Sequence, residues 1–148
     1  MKVASNTSPL CYLVLIEQVD VLPTLFGEVM IPEAVSLELK DQGAPEVVRQ
    51  WLISPPTWLK IMSVSPKFDP ALHRLHRGEQ EAILLGKKIA ADLLLLDEKT
   101  ARNAAVEQGL NVTGLVGILD RAATRGLISL PSVLTRLSRT NFRIAPTC

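Results

Sequence analysis

The sequence predicts an α/β fold, a three-layer sandwich of helices around a central, mostly parallel sheet. Three observations lead there. Residues 93–96 are four consecutive leucines. Such a run suits a strand buried on both faces, and strands of that kind belong to parallel sheets covered by helices. Short apolar runs alternate with helical patterns along the rest of the chain. Proline and glycine mark the boundaries: Pro9 and Pro32 stand near helix starts, and Gly27, Gly109 and Gly126 stand just past helix ends.

Taken in order, residues 2–5 form a short strand ending at Asn6. Thr7, Ser8 and Pro9 then offer a hydroxyl cap followed by a proline at the first helical position, opening an apolar helix over 10–16. A second short helix covers 19–26. Residues 28–31 make a strand, and Pro32 opens a helix over Glu33–Lys40. A turn at 41–43 leads to a helix over 44–54 that carries Val47, Val48, Trp51 and Leu52 inward. Pro55 and Pro56 break it. Residues 58–64 alternate well enough for a strand, at an edge because of the prolines nearby. A short helix from Asp69 to His76 is interrupted at Gly78, and residues 79–88 form a helix burying Ala82, Ile83, Leu84 and Leu85. The leucine strand follows, then a helix over 98–108 with Ala101, Ala104, Ala105 and Val106. Residues 111–113 make a short strand after the stop at Gly109. Helices over 114–125 and 130–137 close the pattern, and residues 142–144 either add a strand or simply pack down.

With 148 residues, 47% of them hydrophobic, there is material for one domain spanning the chain with a real core. A mean hydropathy of +0.24 fits a buried sheet and argues against disorder. No apolar run approaches the length needed to cross a bilayer, and Met1-Lys2-Val3 leads straight into a strand pattern. The two cysteines, Cys11 and Cys148, make no disulfide framework, so the expected location is cytoplasmic. The net charge of +1 excludes a globally basic nucleic-acid binder. Residues 1–70 nevertheless total −3 and residues 71–148 total +4, a basic second half that suits a phosphate backbone and equally well suits solvated helix faces.

The candidate chemistry lies at the strand ends. In open α/β sheets, ligands bind in the crevice beyond the carboxyl ends of the strands. The leucine strand ends on Asp97 and the first strand on Asn6. Asp97 has a plainer reading as the N-cap of the helix that follows it. Two helix acids can reach the same crevice. Glu79 lies in a first turn, where the helix dipole favours a carboxylate. Glu38 sits on the margin of an apolar face, where an unpaired charge is costly. Carboxylates crowded together repel, so at least one should hold its proton unusually strongly, and a divalent cation is the usual reason to tolerate them. Oxygen donors without paired Cys or His favour Mg²⁺ or Mn²⁺. His73 and His76 lack a third soft ligand and read as surface or phosphate-facing residues.

Ser5-Asn6-Thr7-Ser8-Pro9-Leu10, Ile31-Pro32-Glu33-Ala34-Val35 with Glu38, Gly78-Glu79-Gln80-Glu81-Ala82-Ile83, the leucines up to Asp97, and Val112-Thr113-Gly114 together resemble a PIN domain. In particular they are similar to VapC-like toxins, which open on Ser-Asp-Thr-Ser-Pro-Leu and carry a Gly-Glu-Ala-Glu-Ala-Ile motif. The resemblance extends from Val3 to Ile144. It implies a parallel sheet between helices and an Mg²⁺- or Mn²⁺-dependent endoribonuclease. The acidic positions carry over as metal ligands Asn6, Glu38, Glu79 and Asp97, the last three catalytic, with Glu81 the alternative for the third. Arg74, Arg77, Lys99 and Arg102 are the candidate contacts to RNA. The implied partners are an RNA substrate, a cognate antitoxin and a second copy in a homodimer, with no membrane. The departure is Asn6, where the family pattern has Asp: an amide oxygen still ligates metal but brings no charge. A non-catalytic module binding RNA or protein through the same surface is therefore the second reading. A phosphoacceptor receiver domain is the third, disfavoured because the first strand ends without an acidic pair.

Overall fold

The structure is a computed structural model that describes residues 1–65 and 69–142. Its elements are β1 (Val3–Ser5), α1 (Thr7–Leu15), α2 (Val21–Phe26), β2 (Val29–Pro32), α3 (Glu33–Lys40), α4 (Glu46–Ile53), β3 (Leu59–Met62), α5 (Arg77–Lys88), β4 (Leu93–Leu95), α6 (Lys99–Glu107), β5 (Val112–Thr113), α7 (Leu115–Thr124) and α8 (Leu130–Ser138). The strands form one five-stranded sheet in the order β3-β2-β1-β4-β5. Every pairing is parallel, with Ser5 opposite Leu95 and Leu95 opposite Thr113. The expectation of a mostly parallel sheet is met by a wholly parallel one, with β3 at an edge as its flanking prolines require.

The leucine strand shows why the sheet needs cover on both sides. Leu93 and Leu95 join a cluster with Val3, Leu10, Leu13, Val35, Val48, Leu115 and Ile118, which places α1, α3, α4 and α7 on one face. Leu94 and Leu96 join Ala4, Ile83, Leu85, Ala101 and Ala105, which places α5 and α6 on the other. Successive side chains of a strand point to opposite faces, so one continuous apolar run feeds two cores. All four leucines are 5% exposed or less.

Several local expectations are corrected. The first helix begins at Thr7 with Asn6 as its N-cap, so Pro9 is the third helical residue. Proline is tolerated there because the first four helical N–H groups have no intrahelical partner. Gly78 does not interrupt a helix; it is the second residue of α5, which starts at Arg77 after His76 as N-cap. The segment before it is a short 3-10 turn, Pro70–Leu72. Val47, expected inside, is 53% exposed, and Val106 on its helix is 57% exposed. Each is one residue, hence about 100° of helix rotation, away from a buried neighbour, Val48 and Ala105 respectively. The strand or packed segment expected at 142–144 lies outside the described residues from position 143, as does Cys148. Among the described residues no helix is long and apolar enough to cross a membrane.

Candidate active site

The sheet order creates a crevice at one place. The chain winds outward from β1 to β2 and β3, then returns to β4 on the other side of β1. Beyond the carboxyl ends of β1 and β4 the connections diverge, and that switch point is where open α/β sheets bind ligands. The residues following those two strands include Asn6 and Asp97, and the two ends are tied together by the Asn6 N–H donating to Leu95 O at 2.9 Å.

Both residues forgo the local role their chemistry suits. Asn is among the best N-caps, and Asn6 occupies the N-cap position of α1, yet its side chain makes no capping bond. Its Oδ1 is buried without a partner. Asp97 is not the cap of α6 either. Glu98 is, accepting from the Ala101 N–H at 3.1 Å. Asp97 Oδ1 reaches across to the N-terminus of α7 and accepts from the Leu115 N–H at 2.6 Å, while Oδ2 is buried and unpartnered. Buried polar atoms are nearly always hydrogen-bonded. Among the described residues three side-chain atoms break that rule, and two of them are these oxygens.

Glu38 comes to the same edge from α3. Thr7 Oγ1, next in sequence to Asn6, donates to Glu38 Oε2 at 2.7 Å, and the carboxylate lies against the bare Cα of Gly78 in the first turn of α5. Glu79 follows directly, 7% exposed, with Oε1 accepting from the His76 N–H at 3.1 Å. Its plainer reading, a carboxylate serving a helix start, is thus real. Burial raises the Glu79 carboxyl above the ordinary range, opposed by the His76 N–H and the His76 ring and reinforced by Glu98 and Glu38. Burial likewise raises Asp97, opposed by the Leu115 N–H and Arg102.

Glu81, the alternative third acid, is committed elsewhere. Its Oε1 accepts from the Ala34 N–H at 3.3 Å and its Oε2 from Arg77 Nε at 2.8 Å, which braces α5 against the start of α3. Arg77 is thereby engaged, although 76% of its side chain remains exposed. Arg102 is half-buried beside Asp97, while Lys99 is exposed at the first residue of α6. Arg74 is exposed on a groove of about 370 Å³ shared with His73, Thr100, Asn103 and Glu107. Two residues at this edge escape the sequence pattern, Thr7 and Glu98. Thr7 reads locally as a helix cap, which hides its bond to Glu38. Glu98 carries a usable signal, since it follows Asp97 at the same carboxyl edge.

The acids share an edge without closing on one another. Among the described residues no three His, Cys, Asp or Glu side chains are grouped as a ready metal cage. Each of the three carboxylates spends one oxygen on a protein donor. The donor set is all hard oxygen, and two buried oxygens lack partners, so Asn6, Asp97, Glu38 and Glu79 fit Mg²⁺ or Mn²⁺ in kind.

The raised carboxyls make a stability prediction. A folded pKa above the unfolded one means that the native state binds more protons, so stability declines as pH rises through the folded value. The contribution is fully present only below about pH 4, where unfolded Asp and Glu also protonate. Asp97→Asn, which keeps an acceptor for Leu115, is expected to raise the metal-free melting temperature at pH 7, with the gain vanishing toward pH 4. Thermal unfolding at the two pH values checks it; an equal drop at both would count against a strained carboxylate.

The fold and this edge define a class: an all-parallel α/β sandwich with acidic side chains around its switch point. The chain belongs to the PIN-domain family. The family model DUF3368, described as a PIN domain, matches residues 2–148. PIN domains generally carry nuclease activity and generally depend on divalent metal. Among solved structures the chain is similar to a PilT N-terminus domain protein from the hyperthermophilic archaeon Sulfolobus solfataricus P2. The likeness has a TM-score of 0.53 at 17% identity and covers 98% of this chain and 100% of that one, which shows a shared fold. No curated protein matches. The receiver alternative falls with the family and with the strand order, which is not the 2-1-3-4-5 of receivers.

Proposed function

We propose that this chain is a metal-dependent endoribonuclease of the toxin–antitoxin type, one PIN-like domain whose catalysis is weakened because Asn6 stands where an acidic ligand is expected. The observation that carries the reading is the pair of buried, unpartnered oxygens, Asn6 Oδ1 and Asp97 Oδ2, flanking the switch point. In this reading Asn6, Glu38, Glu79 and Asp97 supply the oxygens that hold Mg²⁺ or Mn²⁺. When bound, the ion lowers the pKa of a coordinated water and stabilises charge on the phosphate. With the ion held there, Glu79, whose burial favours the protonated form, would be the side chain placed to hold or take up a proton at this edge. Thr7 orients Glu38, and the Leu115 N–H orients Asp97. Arg102, Lys99 and Arg74 attract the RNA backbone by charge.

The toxin-type partners rest on sequence resemblance, and the cytoplasmic setting rests on the sequence reading alone. The exposed Leu37 on α3 and Val47 and Ile53 on α4 supply apolar surface for an antitoxin or a second copy. A second reading, a non-catalytic module binding RNA or protein, is favoured by the neutral Asn6 and by the unclosed set of acids.

Incubation with single-stranded RNA across an Mg²⁺ and Mn²⁺ series separates the two. The nuclease reading expects slow cleavage that requires the ion and is lost in Glu79→Gln. RNA retained but uncut at every ion concentration, in this chain and in its Asn6→Asp form, would give the second reading precedence.

A further inference from the structure

Gly27, Gly109 and Gly126 are glycines for a backbone reason, with φ of +78°, +86° and +74°. Gly78 and Gly114 have no such reason. Gly78 lies in the first turn of α5, where alanine would serve the helix better. Gly114 has extended backbone, φ −101° and ψ −173°, which any residue adopts. What each lacks is a side chain, and in each case a site carboxylate fills the space. A Cβ built on Gly78 would overlap Glu38 Oε1 and come within 2.9 Å of Glu38 Cδ. A Cβ built on Gly114 would stand 2.7 Å from Asp97 Oδ1 and 3.3 Å from an Arg102 guanidinium nitrogen.

We propose that Gly78 and Gly114 are positioning residues, glycines because Glu38 and Asp97 must lie against the starts of α5 and α7 for their carboxylates to face one crevice. The inference rests on the metal-site reading above and adds what sets its geometry. Glu38 is an exposed residue, yet its carboxylate is tied to the Thr7 hydroxyl at 2.7 Å and lies in the space that the bare Gly78 Cα leaves open. Asp97 is held between the Leu115 N–H at 2.6 Å and the bare Gly114 Cα. The two differ in how they yield. Glu38 is long, and a methyl at position 78 turns its carboxylate aside without disturbing the helix. Asp97 is short, and the Oδ1 that a methyl at 114 would strike is the one accepting from the Leu115 N–H, so the contact itself is strained.

The test is Gly78→Ala, read by metal-free thermal unfolding and by Mn²⁺ titration followed through the resonance of the free ion. The expected result is a melting temperature unchanged or higher, with Mn²⁺ affinity weakened about tenfold or more, the range seen when groups orienting ligands are changed. A residue that served only the fold would lose melting temperature instead. Glu38→Asp, one methylene shorter, is expected to weaken binding in the parent chain but to restore part of the affinity when combined with Gly78→Ala. Gly114→Ala is expected to weaken Mn²⁺ binding and also to lower the melting temperature. Parent-like affinity in Gly78→Ala would overturn the inference while leaving the metal reading in place. Absence of Mn²⁺ binding in both the parent and its Asn6→Asp form would overturn the metal reading, and this inference with it.

Discussion

Asn6→Asp is expected to tighten divalent-metal binding and to raise cleavage of single-stranded RNA by about tenfold or more, as adding an anionic ligand to a hard-cation site should. The backbone cost is small. Position 6 has extended φ and ψ, and the side chain makes no hydrogen bond through Oδ1 that an aspartate would forfeit. The electrostatic cost is larger without an ion. The new carboxylate would bring a second charge beside Asp97, which already resists ionisation through burial. Metal-free Asn6→Asp should therefore melt below the parent at neutral pH. Saturating Mg²⁺ or Mn²⁺ should reverse the order, since a ligand at 100 times its Kd adds about 2.7 kcal/mol. Asp97→Asn added to Asn6→Asp should abolish the gain in both affinity and rate. Equal metal affinity in the two forms would mean that position 6 is not a ligand.

Glu79 and Glu81 stand two residues apart on one helix and are expected to fail in opposite ways. Glu81→Ala removes the acceptor of the Ala34 N–H, a backbone group of a residue only 4% exposed. Leaving such a donor unsatisfied costs about 1–3 kcal/mol. The bond to Arg77 adds little, because the arginine side chain is mostly in water. Unfolding in urea should show that loss, with Mn²⁺ affinity retained at low denaturant. Glu79→Gln keeps an oxygen for the His76 N–H and removes a charge that burial disfavours. Its metal-free stability should hold or rise while Mn²⁺ affinity falls. The reverse pairing, affinity lost in Glu81→Ala and kept in Glu79→Gln, would transfer the third ligand role to Glu81.

Much of the fold is legible in the sequence because its signals are local. Four leucines in a row can only satisfy two apolar faces, and the strand they form demands helices above and below. Proline at 32 and glycine at 27, 109 and 126 act through their own φ or missing N–H, so the boundaries they mark lie where the pattern puts them. The helix Glu33–Lys40 matches its pattern to the residue. The start of α5 escapes the pattern because a glycine reads as a break when its reason for being there, the carboxylate of Glu38, lies forty residues away in the chain.

By itself the sequence determined the α/β class, the apolar strands, and the four residues Asn6, Glu38, Glu79 and Asp97 as the ones to watch. Tertiary structure alone decided what their atoms do. That β1 and β4 are neighbours, so that Asn6 and Asp97 flank one switch point, follows from strand order, which no local pattern encodes. That Asp97 serves α7 instead of capping α6, and that Glu81 braces α3 while Glu79 stays at the edge, depends on which donors come within 3.3 Å after the chain has closed. A hydrogen bond selects its partner by distance in space. Residues 97 and 115, or 34 and 81, acquire that distance only when the two cores have packed on either side of the sheet.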